Sequence, residues 1–73
     1  MIVSVIGLGY IGLPTAALLA SRKIKVIGID IDESVVETIN KGMIHIVEPE
    51  LSTIVKESVE TGYFCASTIP VKA

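Results

Sequence analysis

The stretch Val5-Ile6-Gly7-Leu8-Gly9-Tyr10-Ile11-Gly12-Leu13-Pro14 joins a short β-branched run to three glycines spaced G-x-G-x-x-G. Such a hexapeptide is common on its own and gains meaning from what surrounds it. Ile2 to Ile6 reads as a fully buried strand running straight into the glycines. About Tyr10 to Ser21 reads as the helix that follows, with Pro14 near its start, where proline is tolerated. Lys25 to Ile29 reads as a second buried strand, and it delivers an acidic residue, Asp30, 18 residues beyond Gly12. A spacing of about 20 is what a dinucleotide-binding strand-helix-strand unit requires.

Each position has a physical reason. Gly7 lets the chain turn sharply out of the strand, Gly9 lets backbone approach a pyrophosphate, and Gly12 lets the helix lie close on the sheet. The amides of Tyr10 and Ile11 fall at the helix N-terminus, where free N–H groups and the macrodipole favour an anion. Asp30 is expected to accept hydrogen bonds from the adenosine ribose hydroxyls. Its charge opposes a 2′-phosphate, and no Lys or Arg follows before Lys41, so NAD is expected over NADP. The expected cofactor contacts are therefore Gly7, Gly9, Tyr10, Ile11, Gly12 and Asp30. The plain alternative is a tight strand-helix turn followed by a surface aspartate.

Further along, Asp32 can cap a second helix, with Glu33 in its first turn. Val35, Val36 and Ile39 share one face of that helix, and Asn40-Lys41-Gly42 stops it. Met43 to Val47 is apolar enough for a strand and short enough for a loop, and an ordered connection is favoured. Pro49 opens a third helix, with Leu51, Ile54, Val55 and Val59 on one face, and Gly62 ends it. Tyr63 to Ser67 reads as a third strand, and Pro70 follows. The order β-α-β-α-α-β implies an α/β fold with a parallel sheet and right-handed crossovers, the N-terminal half of a Rossmann-type doubly wound sheet. The free edge of the first strand is expected to be exposed.

Composition agrees. The 73 residues carry a net charge of −2, are 51% hydrophobic and contain 12 Ile and 9 Val against 5 Leu. Mean hydropathy is +0.71. That is the composition of buried parallel strands, too apolar for a disordered tail and for so short a chain to cover comfortably. The expectation is a piece of something larger, which associates with itself when isolated. One cysteine excludes an internal disulfide and fits a reducing, cytoplasmic setting. One histidine excludes a Cys/His zinc site, and no metal is expected. Scattered Lys and Arg argue against a nucleic-acid surface. Residues 1–21 lack charged side chains, but Gly7, Gly9, Gly12 and Pro14 and the missing basic flank argue against a membrane span or a leader peptide.

The remaining chemistry-bearing residues have plain readings. Cys65 has no activating neighbour in sequence and is expected to be a buried structural cysteine. His45 is expected to pack or to lie on the surface rather than to act in catalysis. Glu48 and Glu50 flank Pro49, where capping and compensation of the helix dipole explain them.

The run Val5 to Pro14, together with Ile44-His45-Ile46-Val47-Glu48-Pro49-Glu50-Leu51, resembles the UDP-glucose/GDP-mannose dehydrogenase family over nearly all of the chain. With Ala66-Ser67-Thr68, the wording lies nearest members that act on UDP-N-acetylmannosamine. Cys65 stands where relatives often have a basic residue. The resemblance implies oxidation of a nucleotide-sugar C6 hydroxymethyl to a carboxylate with two NAD in turn, for surface polysaccharide, by a full-length homo-oligomer. It implies that residues 1–73 are the N-terminal part of the NAD-binding domain. The family's catalytic cysteine stands in a Cys-x-Pro-Lys context, which Cys65-Ala66-Ser67 does not match, so no catalytic residue is expected here and the chain alone is expected to be inactive. Another UDP-sugar dehydrogenase of the family and a non-enzymatic NAD-binding module are the alternatives. A truncated gene and a fragment are both open readings of the length.

Overall fold

The computed structural model describes residues 1–46 and 48–68. Its elements run β1 (Ile2–Ile6), α1 (Gly12–Ser21), β2 (Lys25–Ile29), α2 (Glu33–Asn40), α3 (Pro49–Glu60) and β3 (Phe64–Ser67). The three strands form one parallel sheet in the order β1-β2-β3, with Val5 opposite Gly28 and Gly28 opposite Ala66. α1 and α3 lie side by side and run back against the strands they precede, as parallel connections require. Their N-termini, and that of α2, therefore meet at one end of the sheet, beyond the C-terminal ends of the strands.

All three helices stop in the same way. The N–H two residues past the cap bonds the third-last helical carbonyl, and the N–H before it bonds the next one: Ile24 to Leu19 and Lys23 to Ala20 in α1, Met43 to Thr38 and Gly42 to Ile39 in α2, Tyr63 to Ser58 and Gly62 to Val59 in α3. The turn needs a left-handed residue. Gly42 and Gly62 supply it without cost, whereas α1 uses Lys23 at φ +64°.

The core lies between the sheet and the α1/α3 layer. Leu8, Leu13, Ala16, Ala17, Val26, Ile39, Val55 and Phe64 are buried there. The alanines of α1 let that helix approach the sheet closely. The sheet's other face carries Ile2, Ile6, Ile27 and Ile29 with Ser4 and Cys65, and among the described residues no helix covers it. Ile27 and Ile29, on the central strand, are buried, while Ile6 on the edge strand is 81% exposed.

That one-sided cover overturns several expectations. β1 is an edge strand, half to fully exposed, rather than a buried one. Cys65 points to the bare face and is exposed, not buried. α1 begins at Gly12 rather than Tyr10, which places Pro14 third in the helix, where its missing N–H would have had no helical partner. Ile11 and Leu18 are exposed, and the buried stripe is Leu13, Ala16, Ala17 and Ala20. Ser58 is buried on α3 while Ile54 is partly exposed. Met43 to Ile46 forms a connection without a strand; Val47 and Pro70 lie outside the described residues. α2, the start and end of α3, and β3 (from Phe64) otherwise stand where the pattern places them.

Candidate functional site

The glycine loop leaves β1 abruptly. Gly7 has φ +86°, a conformation side chains resist, and its N–H donates to the Ile29 carbonyl at 2.7 Å. This bond ties the loop to the end of β2. Leu8 then turns inward and is fully buried over Gly28; a Cβ on Gly28 would fall 2.7 Å from Leu8 Cδ2. Gly12 seats α1 against the turn, since a Cβ there would fall 1.7 Å from the Gly7 carbonyl oxygen. Gly9 differs from both. Its φ is ordinary, and a Cβ would meet nothing within 4 Å. The fold itself does not demand glycine at this position, and the space beside its backbone is free for an incoming group.

Asp30 binds the loop from below. The Leu8 N–H donates to Oδ2 at 2.9 Å and the Asp32 N–H to Oδ1 at 2.9 Å. These two amides, Leu8 first, hold its carboxyl below the usual value of 3.8. An ionised carboxylate has about four lone-pair sites, so each oxygen keeps one for a hydroxyl donor. The Asp30 N–H donates to the Ser67 carbonyl at 3.1 Å, which fixes its backbone to β3.

Three helix N-termini meet at this rim, and they differ in charge compensation. α2 is capped by Asp32, whose Oδ1 accepts from the Ser34 N–H at 2.9 Å and the Ser34 hydroxyl at 2.7 Å, and Glu33 follows. α3 has Glu50 in its first turn. α1 has neither a side-chain cap nor an acidic residue in its first turn. Its positive end is thus the one the chain leaves for an anion from outside. The Glu48 carboxylate occupies the cap position of α3 but makes no capping bond, contrary to the expected role; Glu50 matches its own.

Two open grooves flank the loop. One, of about 580 Å³, runs from Val5 and Ile6 over Gly9 and Gly12 to Thr15, with Tyr10 and Ile11 exposed on its wall. The other, of about 230 Å³, lies beside Ile6, Gly7, Asp30 and Ile31. A more enclosed cavity of about 140 Å³ lies at the opposite end of the sheet, among Ser21, Lys23, Ser58 and Thr61. It faces the C-terminal ends of α1 and α3, whose dipoles repel an anion. Gly7, Gly9, Tyr10, Ile11, Gly12 and Asp30 are brought together at the rim, as the spacing predicts. His45 is exposed and Cys65 is on the bare face; neither belongs to the loop. What sequence reasoning missed is Leu8, whose amide orients Asp30. A lone apolar residue between glycines carries no signal for that role.

The shape matches known proteins. The chain is 63% identical over 71 residues to UDP-N-acetyl-D-mannosamine dehydrogenase of Escherichia coli (strain K12), covering 97% of this chain and 17% of that protein. It is 58% identical over 71 residues to NDP-N-acetyl-D-galactosaminuronic acid dehydrogenase of Ralstonia nicotianae, with the same coverage. The structure of UDP-N-acetyl-mannosamine dehydrogenase Cap5O from Staphylococcus aureus superposes with a TM-score of 0.92 at 37% identity, over 96% of this chain and 17% of that one. The chain thus spans about a sixth of the length of these relatives. The family described as "UDP-glucose/GDP-mannose dehydrogenase family, NAD binding domain" matches residues 1–73, and the chain belongs to it.

Proposed function

We propose that Gly7, Gly9, Tyr10, Ile11, Gly12 and Asp30 hold the ADP-ribose portion of NAD, and that residues 1–73 form the N-terminal part of the NAD-binding domain of a nucleotide-sugar 6-dehydrogenase. The observation that carries this reading is the uncompensated α1 N-terminus beside a glycine whose missing side chain leaves open space, with Asp30 ionised alongside. The pyrophosphate lies against the loop amides, and the ribose hydroxyls donate to the two free lone pairs of Asp30. Asp30 rejects a 2′-phosphate by charge and by occupying the hydroxyl's place. Bound NAD supplies a hydride acceptor. This chain's residues bind and orient its adenosine half, and they move no proton of the substrate.

The favoured substrate is UDP-N-acetyl-D-mannosamine, oxidised to the uronate with two NAD for surface polysaccharide. Support comes from the 63%-identical relatives of Escherichia coli and Campylobacter jejuni, which are UDP-N-acetyl-D-mannosamine dehydrogenases. An NDP-N-acetyl-D-galactosaminuronic acid dehydrogenase is 58% identical over the same length, so overall identity in this stretch separates the two sugars only slightly. The open β1 edge and the bare sheet face are seats for the rest of the domain in proteins that carry it. Residues 1–73 alone therefore turn nothing over.

Calorimetric titration of NAD into the chain, with Gly9→Ala alongside, tests the site. Saturable binding that Gly9→Ala weakens while the far-ultraviolet spectrum stays unchanged supports it. Equal affinity in the two chains would contradict it.

A further inference from the structure

β3 is the outer strand on its side of the sheet, and an outer strand normally leaves its outward amides and carbonyls to solvent. Here both groups of one residue, Ala66, are sealed. The Asn40 side chain donates from Nδ2 to the Ala66 carbonyl at 2.9 Å, and its Oδ1 accepts from the Ala66 N–H at 2.8 Å. A primary amide thus pairs with Ala66 as a neighbouring strand would, across 26 residues of sequence. Asn40 is the last residue of α2, so the clamp also fixes that helix against the strand edge.

The clamp lies one residue from the cofactor rim. Ser67, the residue after Ala66, accepts the Asp30 N–H through its carbonyl at 3.1 Å. Asp30 in turn holds the Leu8 and Asp32 amides with its two oxygens. A continuous set of hydrogen bonds therefore runs from Asn40 through the end of β3 to the carboxylate beside the glycine loop. β3 is four residues long and pairs with a strand on one side only, so its end is prone to fray. Were it to fray, the Asp30 backbone would lose its partner and the carboxylate its fixed direction.

We propose that Asn40 is a positioning residue for the cofactor site: by occupying both backbone polar groups of Ala66 it holds the end of β3, and through it the Asp30 carboxylate, in register with the adenosine ribose. This rests on the assignment of Asp30 to the ribose made above. Asn40 touches no cofactor atom itself. It governs how sharply NAD is separated from NADP, since that separation depends on where the carboxylate stands.

The test is titration calorimetry of NAD and NADP into the full chain and into Asn40→Ala and Asn40→Gln. The quantity read is the ratio of the two affinities. A variant that is merely less folded loses both affinities by the same factor and keeps the ratio. Asn40→Ala is expected to lower the NAD preference about fivefold, the loss of roughly one hydrogen bond's orienting effect. The Leu8 amide should exchange faster with solvent as well. Asn40→Gln keeps the amide on a longer stem and is expected to fold and give an intermediate ratio. An unchanged ratio in a folded variant overturns the proposal. Absence of NAD binding by the unmodified chain overturns the assignment of the site, and the proposal with it.

Discussion

Two glycines three residues apart should fail in opposite ways when replaced by alanine. At Gly12 the new Cβ falls 1.7 Å from the Gly7 carbonyl oxygen and 2.8 Å from its carbon, where no contact shorter than 3.0 Å is sustained. The obstacle is backbone, itself held by the bond from the Gly7 N–H to Ile29. The start of α1 must retreat by about an ångström or more, pulling Leu13 and Ala16 off the sheet. Forced overpacking of this kind costs about 3 kcal/mol at the upper end of the ordinary range. The whole chain is worth roughly 4–11 kcal/mol at typical stability per residue. Gly12→Ala should thus lower Tm by about 12–24 °C. At Gly9 the added Cβ meets nothing within 4 Å and φ is ordinary. Gly9→Ala should leave stability within about 0.5 kcal/mol and weaken NAD binding about tenfold, by holding the pyrophosphate off the backbone. Circular dichroism melts and NAD titrations on both variants decide the matter. A Gly12→Ala protein that melts with the parent, or a Gly9→Ala protein that unfolds, would refute the division of labour.

Lys23 is the one left-handed non-glycine residue in a helix-ending turn that α2 and α3 build with glycine. Lys23→Gly should raise stability by about 1 kcal/mol, read as a higher Tm; a lower one would mean the lysine side chain matters more than its backbone. Asp30 and Asp32 are both held below 3.8 by donors present only in the folded chain, chiefly the Leu8 amide for Asp30 and the Ser34 hydroxyl for Asp32. Their stabilisation is therefore complete above about pH 4 and fades as pH falls through the lowered folded values. Urea midpoints should be flat from pH 7 to 5 and fall below 4, less steeply in Asp30→Asn; a midpoint unchanged down to pH 2.5 would contradict this. The bare isoleucine face and open β1 edge should make the isolated chain associate, and a monodisperse monomer by light scattering at about 50 μM would count against that.

Much of this was legible in the residues. Strand-glycine-helix-strand order, the caps at Asp32 and Pro49 and the stops at Gly42 and Gly62 are local effects, and the backbone obeys them. Burial is not local. Ile2, Ile6 and Cys65 look like core residues because parallel strands are apolar on both faces, yet among the described residues helices lie on only one face. On α1, Ala16, Ala17 and Ala20 sit against the sheet and Leu18 faces out, a choice of face that depends on which side of the sheet the helix packs. That the glycine loop and Asp30 would converge could be read from spacing, whereas the contacts that orient Asp30 could not. Leu8 and Asn40 act through backbone bonds and carry no chemical signature of their own.

The central claim is that the ADP half of NAD lies across the glycine loop against the α1 N-terminus. The most direct measurement is a titration of ADP-ribose followed by amide chemical shifts along the backbone. The account predicts the largest shifts at Gly9, Tyr10, Ile11 and Gly12, with a second group at Asp30 to Asp32. Shifts centred instead on Ser21, Lys23 and Thr61 at the other end of the sheet, or no saturable shifts at all, would contradict it.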